Sequence, residues 1–512
     1  MELNLTWLWL LFSAMRTLLA FTILLLVLRW FLRRPRNLPP GPWEFPLLGS
    51  LPAIAWGLRK GLQPHHVLGR YAERYGPVFR VSMFNQSVVI LDDFESTKAA
   101  FWHPQLNDRP SHGHSGVSQS SGEPWIQMRR FSLTVLRGLG IGKSSFEEQI
   151  GTEGEELLKE MSVINGKAFN PKPLLSSAVA NVISSVALGI RYEYNDRHFK
   201  QLLVLLSSII TSTGPGGFVL VFPALTLLPV FKSNLKQLFS DFSQLLSFLT
   251  NIINSHRDTL DPHNLKDFID AYLMEIKINA GTLAGASGEL SRTATEERSI
   301  YSRLNETNML YTVSDLFAAG SETTVTTLEW CFLYMAIYPE IQQRVQAEID
   351  AVVGRNRLPR LADKPGLNLT RTVIWEVQRM ASIVPLGLPH VAASDTQLQG
   401  FLIPKGTILV SNMWRIFRDP KIWPEPEMFK PERFLNDEGK AFKPEEFIPF
   451  GVGRRICLGE HLAKMELFIF FSYFMHRFTF MKPADAPPLA LEGKISLTFS
   501  PLPFEICAVE RD

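Results

Sequence analysis

From Trp7 to Leu28 the chain is a long apolar run, charged only at Arg16, with Arg29, Arg33, Arg34 and Arg36 following. Such a run is long enough to cross a bilayer as a helix, and basic residues beyond its C-terminal end hold that end in the cytosol. No small-residue cleavage site is evident, so the pattern predicts a retained signal anchor over residues 1–36. Leu38-Pro39-Pro40-Gly41-Pro42 comes next. Prolines fix φ and lack amide donors, which makes 37–46 a semi-rigid hinge between anchor and body.

In the body, Val78 to Phe84 and Ser87 to Leu91 are β-rich runs on either side of Asn85-Gln86, a hairpin pattern. Short strands are predicted at Thr407 to Ser411 and Ile495 to Phe499. Between the hairpin and residue 400, apolar residues recur mainly at helical spacing with polar turns between them. The longest helical stretch runs from about Asn308 to Tyr338 and ends before Pro339; Arg371 to Met380 and Glu460 to Phe471 are others. Residues 279–300 are rich in Gly, Ala, Ser, Thr and Glu and read as a surface excursion with no assigned function. Phe218 to Val230 is almost wholly apolar but broken by Pro223 and Pro229, and is either core or a second membrane contact.

Composition narrows the function. No Ser/Gly linker or charge block divides the 512 residues, so 37–512 reads as one large fold. A net charge of +2 gives no global attraction to nucleic acid, and none is expected as a partner. Cys331, Cys457 and Cys507 form an odd set without CxxC spacing, which argues against a disulfide framework or structural zinc site and suits a reducing compartment. Gly138-Leu139-Gly140-Ile141-Gly142 follows a helical stretch instead of a strand, so it is no nicotinamide loop. His65-His66, His112 and His114 lack a third metal ligand at recognisable spacing and read as surface residues.

The strongest chemical signal is Phe450-Gly451-Val452-Gly453-Arg454-Arg455-Ile456-Cys457-Leu458-Gly459, running into the helix from Glu460. A cysteine opening a helix meets backbone amides and the positive end of the dipole, which favour the thiolate that binds iron. Arg455 supplies a cation suited to a carboxylate such as a haem propionate.

Phe450, Gly453, Arg455, Cys457 and Gly459, at these offsets, resemble the haem-binding signature of the cytochromes P-450. Three further matches follow the family's order, and the resemblance covers nearly the whole chain. Ala319-Gly320-Ser321-Glu322-Thr323-Thr324 lies midway along the longest helix. The resemblance implies that Gly320 leaves room for dioxygen and that Glu322 and Thr323 form an acid-alcohol pair delivering protons. A threonine hydroxyl bonded back to a carbonyl one turn earlier would loosen the helix there. Glu376 and Arg379 with Arg433 resemble the family's structural ion-pair set. Trp125 and Arg129 share one helix face at i,i+4 spacing and offer two donors to a propionate. By resemblance Arg109 and His390 complete that set with Arg455.

Within the family the likeness is to the microsomal family 2 type, carried by Gly122-Glu123-x-Trp125, Arg130 to Leu133, Thr259 to Pro262 and Phe401 to Gly406. It implies a mainly α fold with small β-sheets, the single large cytochrome P-450 fold, behind the N-terminal anchor helix. It also implies haem b (iron protoporphyrin IX) and a monooxygenase that inserts one oxygen atom into a lipophilic small-molecule substrate. No flavin domain follows Asp512, so electrons are expected from the NADPH-dependent cytochrome P-450 reductase, with cytochrome b5 as a second donor. The expected location is the endoplasmic reticulum membrane, with the catalytic domain facing the cytosol. A haem-thiolate isomerase of peroxides and a non-catalytic haem-binding protein are the rival readings.

Overall fold

The computed structural model describes residues 7, 9, 12–22, 37–45, 48–83, 86–110, 116–142, 144–221, 229–280 and 301–511. These are mainly helical, with small sheets. Of the predicted anchor, 12–22 is helical and exposes Phe12, Met15, Leu18, Leu19 and Phe21. Among the described residues no helix is long and apolar enough to cross a membrane. Residues 23–36, the centre of the Phe218 to Val230 segment at 222–228, and the excursion at 281–300 lie outside the described residues.

The predicted hairpin forms as β1 (Val78–Met83) and β2 (Gln86–Leu91), antiparallel with Val81 opposite Val88. Two later strands, β3 (His390–Val391) and β4 (Ile408–Ser411), join them in the order β1-β2-β4-β3, with β4 parallel to β2. This sheet matters to the site through its edge. Asp108 N–H donates to the Val391 carbonyl at 3.2 Å and Val391 N–H returns the bond at 2.8 Å, which lays Arg109 beside His390.

The strand expected at Ile495 to Phe499 is instead a hairpin of β5 (Gly493–Ile495) and β6 (Phe499–Pro501). Ser496 N–H bonds to the Thr498 carbonyl and turns the chain before the run is complete. His65 also departs from expectation. It is fully buried, its ring 4.5 Å from that of Trp414, because it lies on the inner face of the helix Pro64–Tyr75. Burial, with His66 and Arg418 adding to it, pushes its imidazole down to about 3, so it stays neutral. His112 and His114 lie outside the described residues.

The helices that place the site are α1 (Phe94–Trp102), α2 (Gly122–Gly138), α3 (Lys172–Ala187), α4 (Glu306–Ile337), α5 (Asn368–Ala381) and α6 (Glu460–Arg477). Asn305 caps α4 by accepting the Asn308 amide, and Pro339 begins the next helix. From Trp330 to Met335 every residue of α4 is buried, so this helix is the axis of the core rather than a surface helix with one apolar stripe.

On α5, Glu376 and Arg379 are fully buried and paired through both carboxylate oxygens, at 2.7 and 2.9 Å. Arg433 donates to the same carboxylate at 2.9 Å, and Arg379 also donates to the carbonyls of Phe417 and Pro426. The predicted three-residue set therefore exists as a closed network. Every strong donor in it has an acceptor, which is the condition for keeping such charges in a core.

Candidate active site around Cys457

The cysteine loop is shaped by its glycines. Gly453 has φ +82°, and a Cβ there would collide with the Phe101 carbonyl at the end of α1, so only glycine serves. Gly451 turns with φ +79°, and Cys457 N–H closes the loop on the Phe450 carbonyl at 2.9 Å. Cys457 does not open the helix as expected: α6 begins at Glu460 with Gly459 as its N-cap, and a 3₁₀ turn at Gly453–Arg455 comes before the cysteine.

Cys457 is exposed on one side, while protein encloses it on the others. Burial pushes its thiol up, opposed by the Gly459 amide, Arg129 and Lys464. A thiol so placed needs a further cation to become a thiolate. The remaining cysteines offer no such opening: Cys331 is fully buried in α4, and Cys507 is half-buried at the start of the strand Cys507–Glu510.

Around this loop the structure gathers the predicted propionate set. Arg129 donates to the Ile456 carbonyl at 2.6 Å, and Arg455 to the carbonyls of Asn107 and Ser120 at 2.9 and 2.7 Å. The Arg455 guanidinium lies 3.8 Å from the centre of the Trp125 ring. Arg109 reaches the Leu388 and Pro389 carbonyls, and His390 is stacked on Phe101 with Nδ1 3.0 Å from the Leu106 carbonyl.

The three guanidiniums thus end on neutral carbonyls and repel one another, and His390 Nδ1 faces a carbonyl as well. Burial, then Arg109, pushes Arg455 down to about 9, with Asp108 acting against it. Burial, then Arg129, lowers Arg109 to about 10; burial, then Arg109, drives His390 well below its ordinary range. A cluster of this kind calls for anionic groups, and the two carboxylates of haem together with an iron ion on Cys457 fit its donor set.

On α4 the open positions are few. Ala319 is exposed and Asp315, Ala318, Gly320 and Thr323 are half-buried, while most of their neighbours are buried. Positions 315, 319 and 323 follow at i,i+4 and form one face. Thr323 Oγ1 donates to the Ala319 carbonyl at 2.7 Å, the back-bond anticipated from the sequence, and Ser321 and Thr327 make the same bond to Phe317 and Thr323.

Glu322 lies off that face. It is buried and accepts from Lys172 of α3 at 2.8 Å, and the same ammonium lies 3.5 Å from Glu329. Gly320 owes its size at least partly to packing, since a Cβ would come within 3.1 Å of Ile183 on α3. Phe450 carries the Lys464 ammonium 5.4 Å from its ring centre.

Several partners escaped the sequence. Lys172 stands in Pro171-Lys172-Pro173 with nothing to mark it as the mate of an acid 150 residues later. Asp315 accepts from the Ser118 amide and hydroxyl at 2.8 and 2.7 Å and docks that strap onto α4; burial pushes it up to about 6. Its place two helical turns before Thr323 was the available signal.

Glu466 of α6 is almost wholly buried and takes one bond, from Thr324 at 3.2 Å, leaving Oε1 without a partner. Burial pushes it up to about 8 from its ordinary 4.5. The unfolded chain loses this proton above pH 4.5, whereas the folded protein keeps it until about 8. Stability from this group is therefore present at low pH and lost as pH rises through that window. Glu466→Gln should gain on the parent by up to a few kcal/mol between pH 5 and 8, measured by paired thermal unfolding across that range. A difference independent of pH would show that Glu466 is ionised in the fold.

The profile of the family described as Cytochrome P450 matches residues 39–508. The sequence is 38% identical to human Cytochrome P450 2J2 over 97% of this chain and 96% of that protein. It is 38% identical to rat (Rattus norvegicus) Cytochrome P450 2J3 over the same shares. With Cytochrome P450 2U1 of Bos taurus it shares 37% identity over 94% of this chain and 91% of the relative.

Proposed function

We propose that this chain, which belongs to the cytochrome P450 family and is a haem-thiolate monooxygenase, inserts one oxygen atom from dioxygen into a steroid, fatty acid or foreign compound, using electrons from an NADPH-dependent reductase. Haem, held through Cys457, supplies the oxygen activation, which thiolate donation favours. Arg109, Arg129, His390 and Arg455, with Trp125 beneath the last, hold its carboxylates; Phe450 and Gly459 fix the loop around the sulfur.

The observation that carries the reading is the open face of α4 at Ala319 and Thr323, on a helix tied through Thr324 and Glu466 to the helix that follows Cys457. The Thr323 hydroxyl spends its proton on the Ala319 carbonyl, so its lone pairs accept from a water placed in that groove. Such a water delivers protons to the reacting oxygen in order. Glu322, buried beside Lys172 and Glu329, supports the relay from behind the face. Gly320 lets α4 pack closely there.

The exposed apolar side chains on 12–22 suit an anchor in the endoplasmic reticulum membrane, with the catalytic body on the cytosolic side. Arg130, Arg137 and Arg454 are exposed near the cysteine loop and α2, where a reductase or cytochrome b5 with an acidic face would dock.

Thr323→Ala tests the proton role without touching the iron ligand. Substrate binding and the thiolate spectrum should persist, while product formed per NADPH falls several-fold and hydrogen peroxide rises to match. An unchanged ratio would show that Thr323 does not manage protons, whereas product formed from a peroxide with no NADPH consumed would favour a haem-thiolate isomerase.

A further inference from the structure

A cavity of about 280 Å³ lies between α5, α6 and the segment around Lys443. It is lined by the cations Lys364, Arg371, Lys443 and Lys464 around a floor that includes Trp375 and Phe468, and none of its lining residues is acidic. The Lys443 ammonium is 4.4 Å from the centre of the Trp375 ring, Arg371 is 5.1 Å from the same ring, and Lys364 is 5.3 Å from Phe468. Among the described residues Lys464 alone of these four is ion-paired with an acid, Glu460 one turn earlier. Among the described residues the side chains of Lys364, Arg371 and Lys443 donate no hydrogen bond to a protein acceptor, and Arg371 Nε is buried without a partner.

Aromatic faces attract cations by about 0.5–2 kcal/mol each, but they do not replace the water a buried N–H has given up. The cations also raise one another's energy. Lys443 is exposed along part of its length, yet its inward ammonium is pushed down to about 7 by burial and next by Lys464. Lys364 and Arg371 are likewise lowered, by burial first.

A single carboxylate brings one charge. A phosphoryl group brings up to about two, on three acceptor oxygens, and so can serve a guanidinium and two ammonium groups together. At about 30 Å³ per liquid water the cavity has room for more than one such group. We propose that it binds a small soluble phosphate-bearing anion of the diphosphate or phosphate-monoester class. Arg371 and Lys443 are its principal ligands.

The probes are pyrophosphate and, separately, inorganic phosphate, titrated calorimetrically into the full-length haem-loaded protein at matched ionic strength in chloride. Pyrophosphate should bind saturably at one site. Arg371→Gln and Lys443→Gln should each weaken it about tenfold or more, the loss of one charge-assisted bond. Lys440→Gln, which removes a neighbouring surface charge already paired with Glu438, should leave it unchanged. Each variant is compared only if it retains the parent's carbon-monoxide spectrum, and Lys443, on an irregular segment, keeps the test open if Arg371→Gln fails to fold. Absence of saturable binding at about 10 mM pyrophosphate overturns the proposal, as does an equal effect of Lys440→Gln. If Lys443→Gln slows reductase-supported turnover while pyrophosphate does not bind, the cavity receives an acidic side chain of a protein partner instead.

Discussion

Cys457→Ser is expected to leave a folded protein that has lost the red-shifted Soret band of a thiolate-ligated, reduced carbon-monoxide complex, with reductase-supported turnover at background. The loop itself does not depend on the sulfur. Its turns come from Gly451 and Gly453, and its closure from the Cys457 amide on the Phe450 carbonyl. Serine preserves both. What it cannot supply is a soft anionic ligand, because its hydroxyl titrates far above a thiol and gains little from the Gly459 amide and Arg129. No other cysteine can take over: Cys331 is sealed in α4 with its thiol pushed up strongly by burial, and Cys507 belongs to a strand paired with Phe478–Met481. The carbon-monoxide difference spectrum of purified variant and parent decides the matter. A variant that keeps the band would place the iron ligand elsewhere.

Breaking the network of Glu376, Arg379 and Arg433 should have the largest effect on stability. Glu376→Gln removes the only anion among these buried groups, leaving the Arg379 and Arg433 guanidiniums facing each other, and it also weakens the acceptor for the Lys430 amide. Stranding charges in this way costs about 3–5 kcal/mol, a large part of a typical protein's net stability. The expected outcome is recovery of little holoprotein and, in what is recovered, an unfolding temperature lower by several degrees. Arg379→Leu should do comparable damage by releasing the Phe417 and Pro426 carbonyls together with Glu376. An unfolding curve that overlays the parent's would mean that the network is replaceable by water.

The fold class and the centre of the site were legible because they depend on local rules. Helical spacing located α4, α5 and α6, and Gly451 and Gly453, before Cys457, stand where a positive φ or close packing calls for glycine. Resemblance brought in Arg109, His390 and Arg433, whose relation to the rest no spacing reveals. The sequence was poorest at side-chain destinations. Helix periodicity sets Glu322 beside Thr323 but cannot say that its carboxylate turns to Lys172, since that depends on α3 packing alongside. His65 failed for a related reason: a polar residue type suggested solvent, while its helix face and Trp414 placed it inside. The cavity around Lys443 joins three separate segments and has no linear signature at all.

The hydrogen bond from Arg129 to the Ile456 carbonyl spans 327 residues, and those from Arg455 back to Ser120 and Asn107 span 335 and 348. In the order of synthesis, Arg109, Trp125 and Arg129 therefore exist long before the sulfur, whereas Arg455 comes just ahead of it. On a ribosome adding roughly 5–20 residues per second, Arg109, Trp125 and Arg129 wait on the order of 16–70 s for Cys457 to appear. Gly453 can then seat against Phe101 only if α1 has already settled on the first sheet. Capture of haem is thus an event at the end of translation: a nascent chain arrested before the cysteine loop has neither the iron ligand nor Arg455, and its Arg129 lacks the Ile456 carbonyl that fixes it.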